Sequence, residues 1–242
     1  MGYTKGELLY EGKAKKIFSV REDSQLLWQE FKNSLTAFNG VKKGEFDVKG
    51  TLNRNISQKI FNALAQNQIP SHMVDVIGDN VMITKKLKMI PLEVVARNIV
   101  AGSLKKKFNL EEGLKINPAL IEFYYKDDAL NDPFISDDQI LMLKILTKDQ
   151  IDEIKKLAAS VNHYLEGFFS EIGILLVDFK IEIGFDEKGN IILADEISPD
   201  SCRLWDKETK EKFDKDRFRY DLGDVKTGYM EIYNRINKHI KG

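Results

Sequence analysis

Cysteine is almost absent from this sequence. The single one, Cys202, can form neither an intrachain disulfide nor a cysteine-based zinc site, and a reducing, cytosolic setting follows as the expectation. Histidine is scarce as well. His72, His163 and His239 lie far apart, with no second ligand-type residue at metal spacing, so each reads as a core or surface residue. No charge of one sign dominates: 37 Lys and Arg stand against 38 Asp and Glu, a formal net charge of −1. General nucleic-acid binders show a basic surplus, so that class starts behind. Apolar runs such as Ile174 to Val177 fall well short of the roughly 18 residues of a membrane span. The first residues, MGYTKGELLYEGKAKK, contain no signal-peptide core. Neither a G-x-S-x-G elbow nor a G-x-G-x-x-G fingerprint occurs. Gly6 to Lys13 imitates a P-loop only loosely, since Ala14 stands where a Ser or Thr is needed.

What remains is the composition of a soluble globular chain. Its 242 residues are 43% apolar, 31% charged and 10% aromatic, enough for one large domain or two modest ones. Short apolar runs over residues 7–31 read as strands, and the glycine-bearing stretch 32–50 as a loop. Thr51 reads as an N-cap for a helix with Leu52, Ile56, Ile60 and Leu64 on one side. Val81–Leu87 and Leu92–Val100 read as strands flanking Pro91, and 117–133 as irregular. Ser136 with Gln139, and Thr147 with Gln150, match capping boxes and predict two helices, the second reaching about Ser170. Ile174–Phe185 and Ile191–Ile197 predict a hairpin around the turn at 186–190. The last 20 residues predict a helix with Met230, Ile232, Tyr233 and Ile236 on one side. The order is α+β, with a domain boundary expected near 86–92.

The hairpin carries the densest chemistry. Strand alternation puts Asp178, Lys180 and Glu182 on one face, and Asp195 joins them only if register or a bulge at Gly189 allows. Carboxylates at this density suit Mg²⁺, and a lysine among them suits a transferring phosphoryl group. A solvated face with cross-strand ion pairs fits the pattern equally well. Gly12, Lys13, Ala14 and Lys15 form a turn whose backbone and cations could hold phosphate; a solvated basic turn is the plainer alternative. Arg97, with Gly102 and Ser103 at a helix start, suggests an anion site or a simple cap. Arg203, Lys215, Arg217 and Arg219 gather further cations after the hairpin. By themselves these residues point to Mg-dependent, ATP-type phosphoryl chemistry, with a small-molecule kinase and a non-catalytic nucleotide or RNA binder as rivals.

Longer segments resemble one family. Pro91-Leu-Glu-x-x-x-Arg97-x-x-x-Ala-Gly-Ser103 and Leu176-Val-Asp-x-Lys-Ile-Glu-Ile-Gly184 are similar to the two signatures of the SAICAR synthetases. Tyr10 to Phe18, Thr36 to Gly40, Lys126 to Pro133, Asp195 to Asp200, Arg203 to Asp206 and Lys215 to Arg219 resemble further family segments, in the family order. Ala96 departs from the usual Val or Ile, and Asn39 stands where some members carry Asp. The resemblance implies an ATP-grasp-like, two-domain fold, with residues 1–88 binding nucleotide and 89–242 carrying the metal hairpin and substrate site. It implies a cytoplasmic, homo-oligomeric (dimeric) ligase with no nucleic-acid or membrane partner. That ligase joins L-aspartate to 5-aminoimidazole-4-carboxy ribonucleotide (CAIR), using ATP and Mg²⁺, through an acyl phosphate. By motif position, Gly12, Lys13, Ala14 and Lys15 meet the ATP phosphates, and Lys86 to Met89 meet adenine. Glu182 and Asp195 hold Mg²⁺, with Asp178 at a second metal. Lys180 and Asp178 lie at the reacting carboxylate. Asn39, Arg97, Ser103, Lys126, Asp132, Arg203, Lys215 and Arg219 bind substrate.

Overall fold

The computed structural model describes residues 2–37 and 40–241. Three antiparallel strands open the chain: β1 (Lys5–Glu11), β2 (Lys15–Val20) and β3 (Leu26–Phe31). A small hairpin, β4 (Ser34–Ala37) with β5 (Lys42–Glu45), leads into helix α1 (Lys49–Gln66). β6 (Met73–Ile77) and β7 (Val81–Lys85) then complete a five-stranded sheet in the order β1-β2-β3-β7-β6. The chain changes sheets at residues 86–87.

The second sheet is built on β8 (Lys88–Ile99), which is followed by α2 (Gly102–Phe108), β9 (Lys115–Tyr125) and β10 (Phe134–Ile135). Helices α3 (Asp137–Met142) and α4 (Lys148–Glu171) come next, then β11 (Ile174–Phe185), β12 (Ile191–Ala194) and β13 (Cys202–Asp206). α5 (Asp216–Arg219) and α6 (Val225–Lys241) end the chain. β11 is the central strand. β8 covers one edge, while β13 and β12 divide the other, pairing with Ile174–Phe179 and Glu182–Phe185 respectively. Between them Lys180 donates its amide to the Ser201 carbonyl. The segment joining β12 to β13 therefore loops out directly beside Lys180.

Apolar periodicity explains most of these elements. On α4, Ile151, Ile154, Ala158, Val161, Leu165 and Phe169 are fully buried at three- and four-residue spacing, the stripe of a helix lying on a sheet. Both expected capping boxes form, at Ser136/Gln139 and Thr147/Gln150. One apolar core runs from Phe31, Ile56 and Met82 to Ile151, Phe179 and Ile232.

Four expectations need correction. α1 begins at Lys49, not after Thr51, because Asn33 Oδ1 accepts the Gly50 amide at 3.0 Å and serves as a cap distant in sequence. The stretch 32–50 is not simply loop, since β4 and β5 pair within it. β9 occupies most of the segment read as irregular, because pairing with β8 outweighs its Asn and Pro content. β8 runs straight through Pro91, which sits at a register shift where the ladder to β11 skips residues. The last helix forms as expected, though Tyr229, Ile232 and Ile236 are its buried side.

The start of α1 is fixed from two later elements. Lys49 Nζ lies 2.6 Å from Asp200 Oδ2, and the Tyr229 hydroxyl donates to Asp200 Oδ1. Burial alone would raise the Asp200 carboxyl, but Lys49 and Lys215 hold it below its ordinary value. Removing Lys49 leaves Asp200 a buried carboxylate without its cation, whereas removing the Tyr229 hydroxyl costs Asp200 one hydrogen bond. Lys49→Met is expected to lower unfolding free energy by about 3 kcal/mol or more, and Tyr229→Phe by about 1–2 kcal/mol, as read from urea melts. A Lys49→Met protein with near-normal stability would contradict this.

Candidate active site

A cleft of about 750 Å³ separates the β1–β2 turn from the β11–β12 hairpin. The turn is tight, with the Gly12 amide donating to the Lys15 carbonyl at 2.8 Å. Lys15 points inward and its ammonium is bound to Asp195 Oδ1, with Glu196 Oε2 at 3.8 Å. Burial opposes its charge, but Asp195 and Glu196 outweigh that and raise the Lys15 pKa. Lys13 reaches outward to Asp128 at 2.8 Å.

The carboxylate face of β11 is present, and each charge has a partner. Lys180 Nζ lies 2.5 Å from Glu93 Oε1 on β8, and Lys126 Nζ binds Glu182 Oε1. Asp195 joins the group by neither register nor a bulge at Gly189. β12 ends at Ala194, and Asp195 adopts a left-handed conformation (φ 63°) that turns its carboxylate toward Lys15. Burial and the nearby Asp195 push the Glu182 pKa up; Lys126 and Lys180 counter them only partly. The next residue, Glu196, is buried with Oε2 accepting no hydrogen bond among the described residues, and its pKa is raised to about 7 by burial, with Asp195 and Asp200 adding to it.

A second cluster adjoins the cleft along β11. Asp178 pairs in register with Arg97 on β8 and Arg203 on β13. Arg97 Nη1 donates to Asp178 Oδ2 at 3.1 Å, its Nε to Glu122 at 2.6 Å, and its Nη2 to Ser103 Oγ and the Tyr124 hydroxyl. Arg203 Nη1 holds both Asp178 oxygens, at 3.0 and 2.8 Å, and Nε binds Asp216. Arg219 binds the other Asp216 oxygen at 2.6 Å. Arg203 Nη2 lies against Gly102, where a Cβ would approach it to 2.5 Å and φ is +54°. The glycine thus leaves room for the guanidinium at the start of α2. Arginines take both Asp178 oxygens, so its contacts fix two guanidinium groups.

The structure therefore brings Gly12, Lys13, Ala14, Lys15, Met89, Lys126, Asp132, Lys180, Glu182, Asp195 and Lys215 to one cleft. Arg97, Ser103, Asp178, Arg203 and Arg219 form the adjoining cluster. Lys86 is exposed and does not line the cleft, although Lys85 and Leu87 on either side do; its amide is bound to the Gln25 carbonyl. Asp132 accepts the Asp127 amide and shapes the 126–132 loop. Lys215 lines the cleft with its pKa lowered by burial, although the nearby Asp200 opposes this. Asn39 lies outside the described residues. Sequence reasoning missed Glu93, Glu122, Glu196 and Asp216, which place the cations. Glu93 and Asp216 lie inside motifs already singled out, and the alternation of β8 could have found Glu93.

The comparisons with known proteins can be set against this geometry. The sequence model of SAICAR synthetase matches residues 8–236. The chain belongs to the SAICAR synthetase family. It is 50% identical over 232 residues to the phosphoribosylaminoimidazole-succinocarboxamide synthase of Shouchella clausii, covering 96% of this chain and 97% of that protein. Its Bacillus subtilis counterpart is 49% identical over 236 residues, 98% of each chain. A solved SAICAR synthetase in complex with ADP superposes with a TM-score of 0.92 at 48% identity, over 95% of this chain and 97% of that one. The chain is thus an enzyme of the ligase class, with the α+β fold of its relatives. No helix among the described residues is long and apolar enough to cross a membrane.

His72 forms part of the cleft wall. It is 3% exposed, neither ring nitrogen has a hydrogen-bond partner among the described residues, and burial with the nearby Lys15 lowers its pKa to about 3. Unfolded, it titrates near 6.5, so the unfolded chain takes up an extra proton between these values. Stability is therefore expected to fall as pH drops below 6.5, by up to about 1.4 kcal/mol per pH unit from this group. His72→Gln should flatten the slope of unfolding free energy between about pH 6 and 4. An unchanged slope would contradict a neutral, buried His72.

Proposed function

We propose that this enzyme joins L-aspartate to the carboxylate of CAIR at the expense of ATP, giving SAICAR, ADP and phosphate. The observation that carries the reading is the meeting of Lys15, Lys126 and Lys180 with Glu182 and Asp195 between the glycine turn and the hairpin. That is the equipment for moving a phosphoryl group between anions. A carboxylate is a poor acyl donor because oxide is a poor leaving group. Attack of a CAIR carboxylate oxygen on the γ-phosphorus, with ADP leaving, gives an acyl phosphate. The aspartate amine then attacks the acyl carbon, loses its proton and expels phosphate. The protein's part is chiefly to position the reactants and balance their charge.

In this reading the 1–88 region holds the nucleotide and the 89–242 region the CAIR site. The Gly12–Lys15 turn takes the phosphates, and the 86–89 connection meets adenine. Support for that connection comes from the Lys86 carbonyl and the Leu87 amide, which make no backbone pair among the described residues. Lys180 steadies the transferring phosphoryl group. Arg97, Arg203, Arg219 and Ser103 take the CAIR phosphate, with Lys215 beside them. Asp178 is assigned to hold Arg97 and Arg203 in place. Lys126 and Asp132 lie at the rim.

Magnesium suits the cleft residues. No group of three or more metal-type side chains comes together among the described residues, but Mg²⁺ binds through one or two carboxylates plus substrate phosphates and water. Glu182 and Asp195 supply such a pair in the cleft. When bound there, Mg²⁺ would supply charge neutralisation on the nucleotide phosphates. A cytoplasmic setting and a homodimer complete the proposal.

The test is ADP release with Mg²⁺, ATP, CAIR and L-aspartate, beside mixtures lacking each component. Turnover should need all four. Turnover indifferent to aspartate would replace the ligase with a kinase, and binding without turnover would leave a nucleotide-binding module. Lys180→Ala should remove measurable turnover while circular dichroism stays native; a near-normal rate would overturn its role.

A further inference from the structure

One polar side chain in the cleft wall has no task in the reading above. Gln29 lies on β3, paired with Ile17 on β2 and Met82 on β7. It is 7% exposed and lines the cleft among Ile17, Leu27, Leu87 and Met89. On this face of the sheet the strand pairs run Lys15–Phe31, Ile17–Gln29, Ser19–Leu27. Lys15 marks the phosphate end, so Gln29 stands one step toward the apolar end, where a purine ring finds its walls.

The amide is tethered at one end. Its Nε2 donates to Thr84 Oγ1 at 2.9 Å, and Thr84 is completely buried. Oε1 has no partner among the described residues, and it is not among the unpartnered polar atoms sealed from solvent. An amide that spends its N–H on the protein presents an acceptor to the cleft. Adenine carries an amino donor at position 6, whereas hypoxanthine and guanine carry a carbonyl acceptor there. Two acceptors facing each other in a buried site both go unpaired, and sites built on such contacts discriminate strongly.

We propose that Gln29, oriented by Thr84, is a specificity-determining residue that selects adenine over 6-oxopurine nucleotides. The proposal rests on the reading that ATP occupies this cleft with its base toward the 86–89 connection. It is independent of which acid and amine the enzyme joins.

Calorimetric titration of the full chain with ADP and with IDP, which differ at the 6-position and in the proton on N1, tests it without requiring turnover. The native protein should bind ADP at least about tenfold more tightly than IDP, and Gln29→Leu should cut that ratio by about tenfold. Gln29→Met, closer in length, should do the same and serves if the leucine variant fails to fold. Thr84→Val frees the amide to turn its N–H toward the base and should also lower the ratio. Equal binding of the two nucleotides by the native protein, or an unchanged ratio in the Gln29 variants, would overturn the assignment. If aspartate-dependent turnover persists alongside an unchanged ratio, the ligase reading stands and Gln29 alone is discarded. Binding of neither nucleotide would overturn the nucleotide site and this proposal together.

Discussion

Pairing of cations with carboxylates across the cleft is the interaction on which the rest of the site depends. Lys15 is tied to Asp195, Lys126 to Glu182 and Lys180 to Glu93, while Asp178 joins Arg97 to Arg203. Several of these groups are largely removed from water, where a lone charge is costly. Each of these cations is thus balanced by a carboxylate. Substrate phosphates can take over the lysines only if something else takes over Glu182 and Asp195. Under the proposed function, that exchange partner is the divalent cation that accompanies ATP.

The fold supplies the exchange site through one strand. β11 carries Asp178, Lys180 and Glu182 at alternate positions. Its neighbours bring Arg97 and Glu93 from β8 and Arg203 from β13. The division of its outer edge between β13 and β12 creates the 195–201 loop, which delivers Asp195 to the cleft and Asp200 to Lys49. The same pairing that builds the sheet therefore sets the spacing of the charges. Lys49 and Tyr229 then lock that loop against α1 and α6.

Much of this was legible because it depends on local pattern. The hairpin declares itself by alternation from Asp178 to Ile183 and a turn of Asp and Gly, although its second strand stops at Ala194 rather than Ile197. α4 is announced by Thr147 and Gln150 and by its apolar stripe. What was not legible depends on contacts distant in sequence. The start of α1 relies on Asn33, and β9 is a strand because β8 lies beside it. Asp195 reaches the cleft through a left-handed residue, which no alternation rule anticipates. Glu93, Glu122 and Asp216 look in sequence like any carboxylate on a strand or a short helix. Their partners become visible only when Lys180, Arg97 and Arg203 are in place.

Under the proposed function, Glu182 and Asp195, released from their lysines, form the cation site that accompanies the nucleotide. The most direct measurement is the ADP dissociation constant with and without Mg²⁺, in the native protein and in a Glu182→Gln/Asp195→Asn variant. Mg²⁺ is expected to tighten ADP binding to the native protein and to have little effect on the variant, whose freed lysines still hold the phosphates. An equal response to Mg²⁺ in both proteins would contradict it.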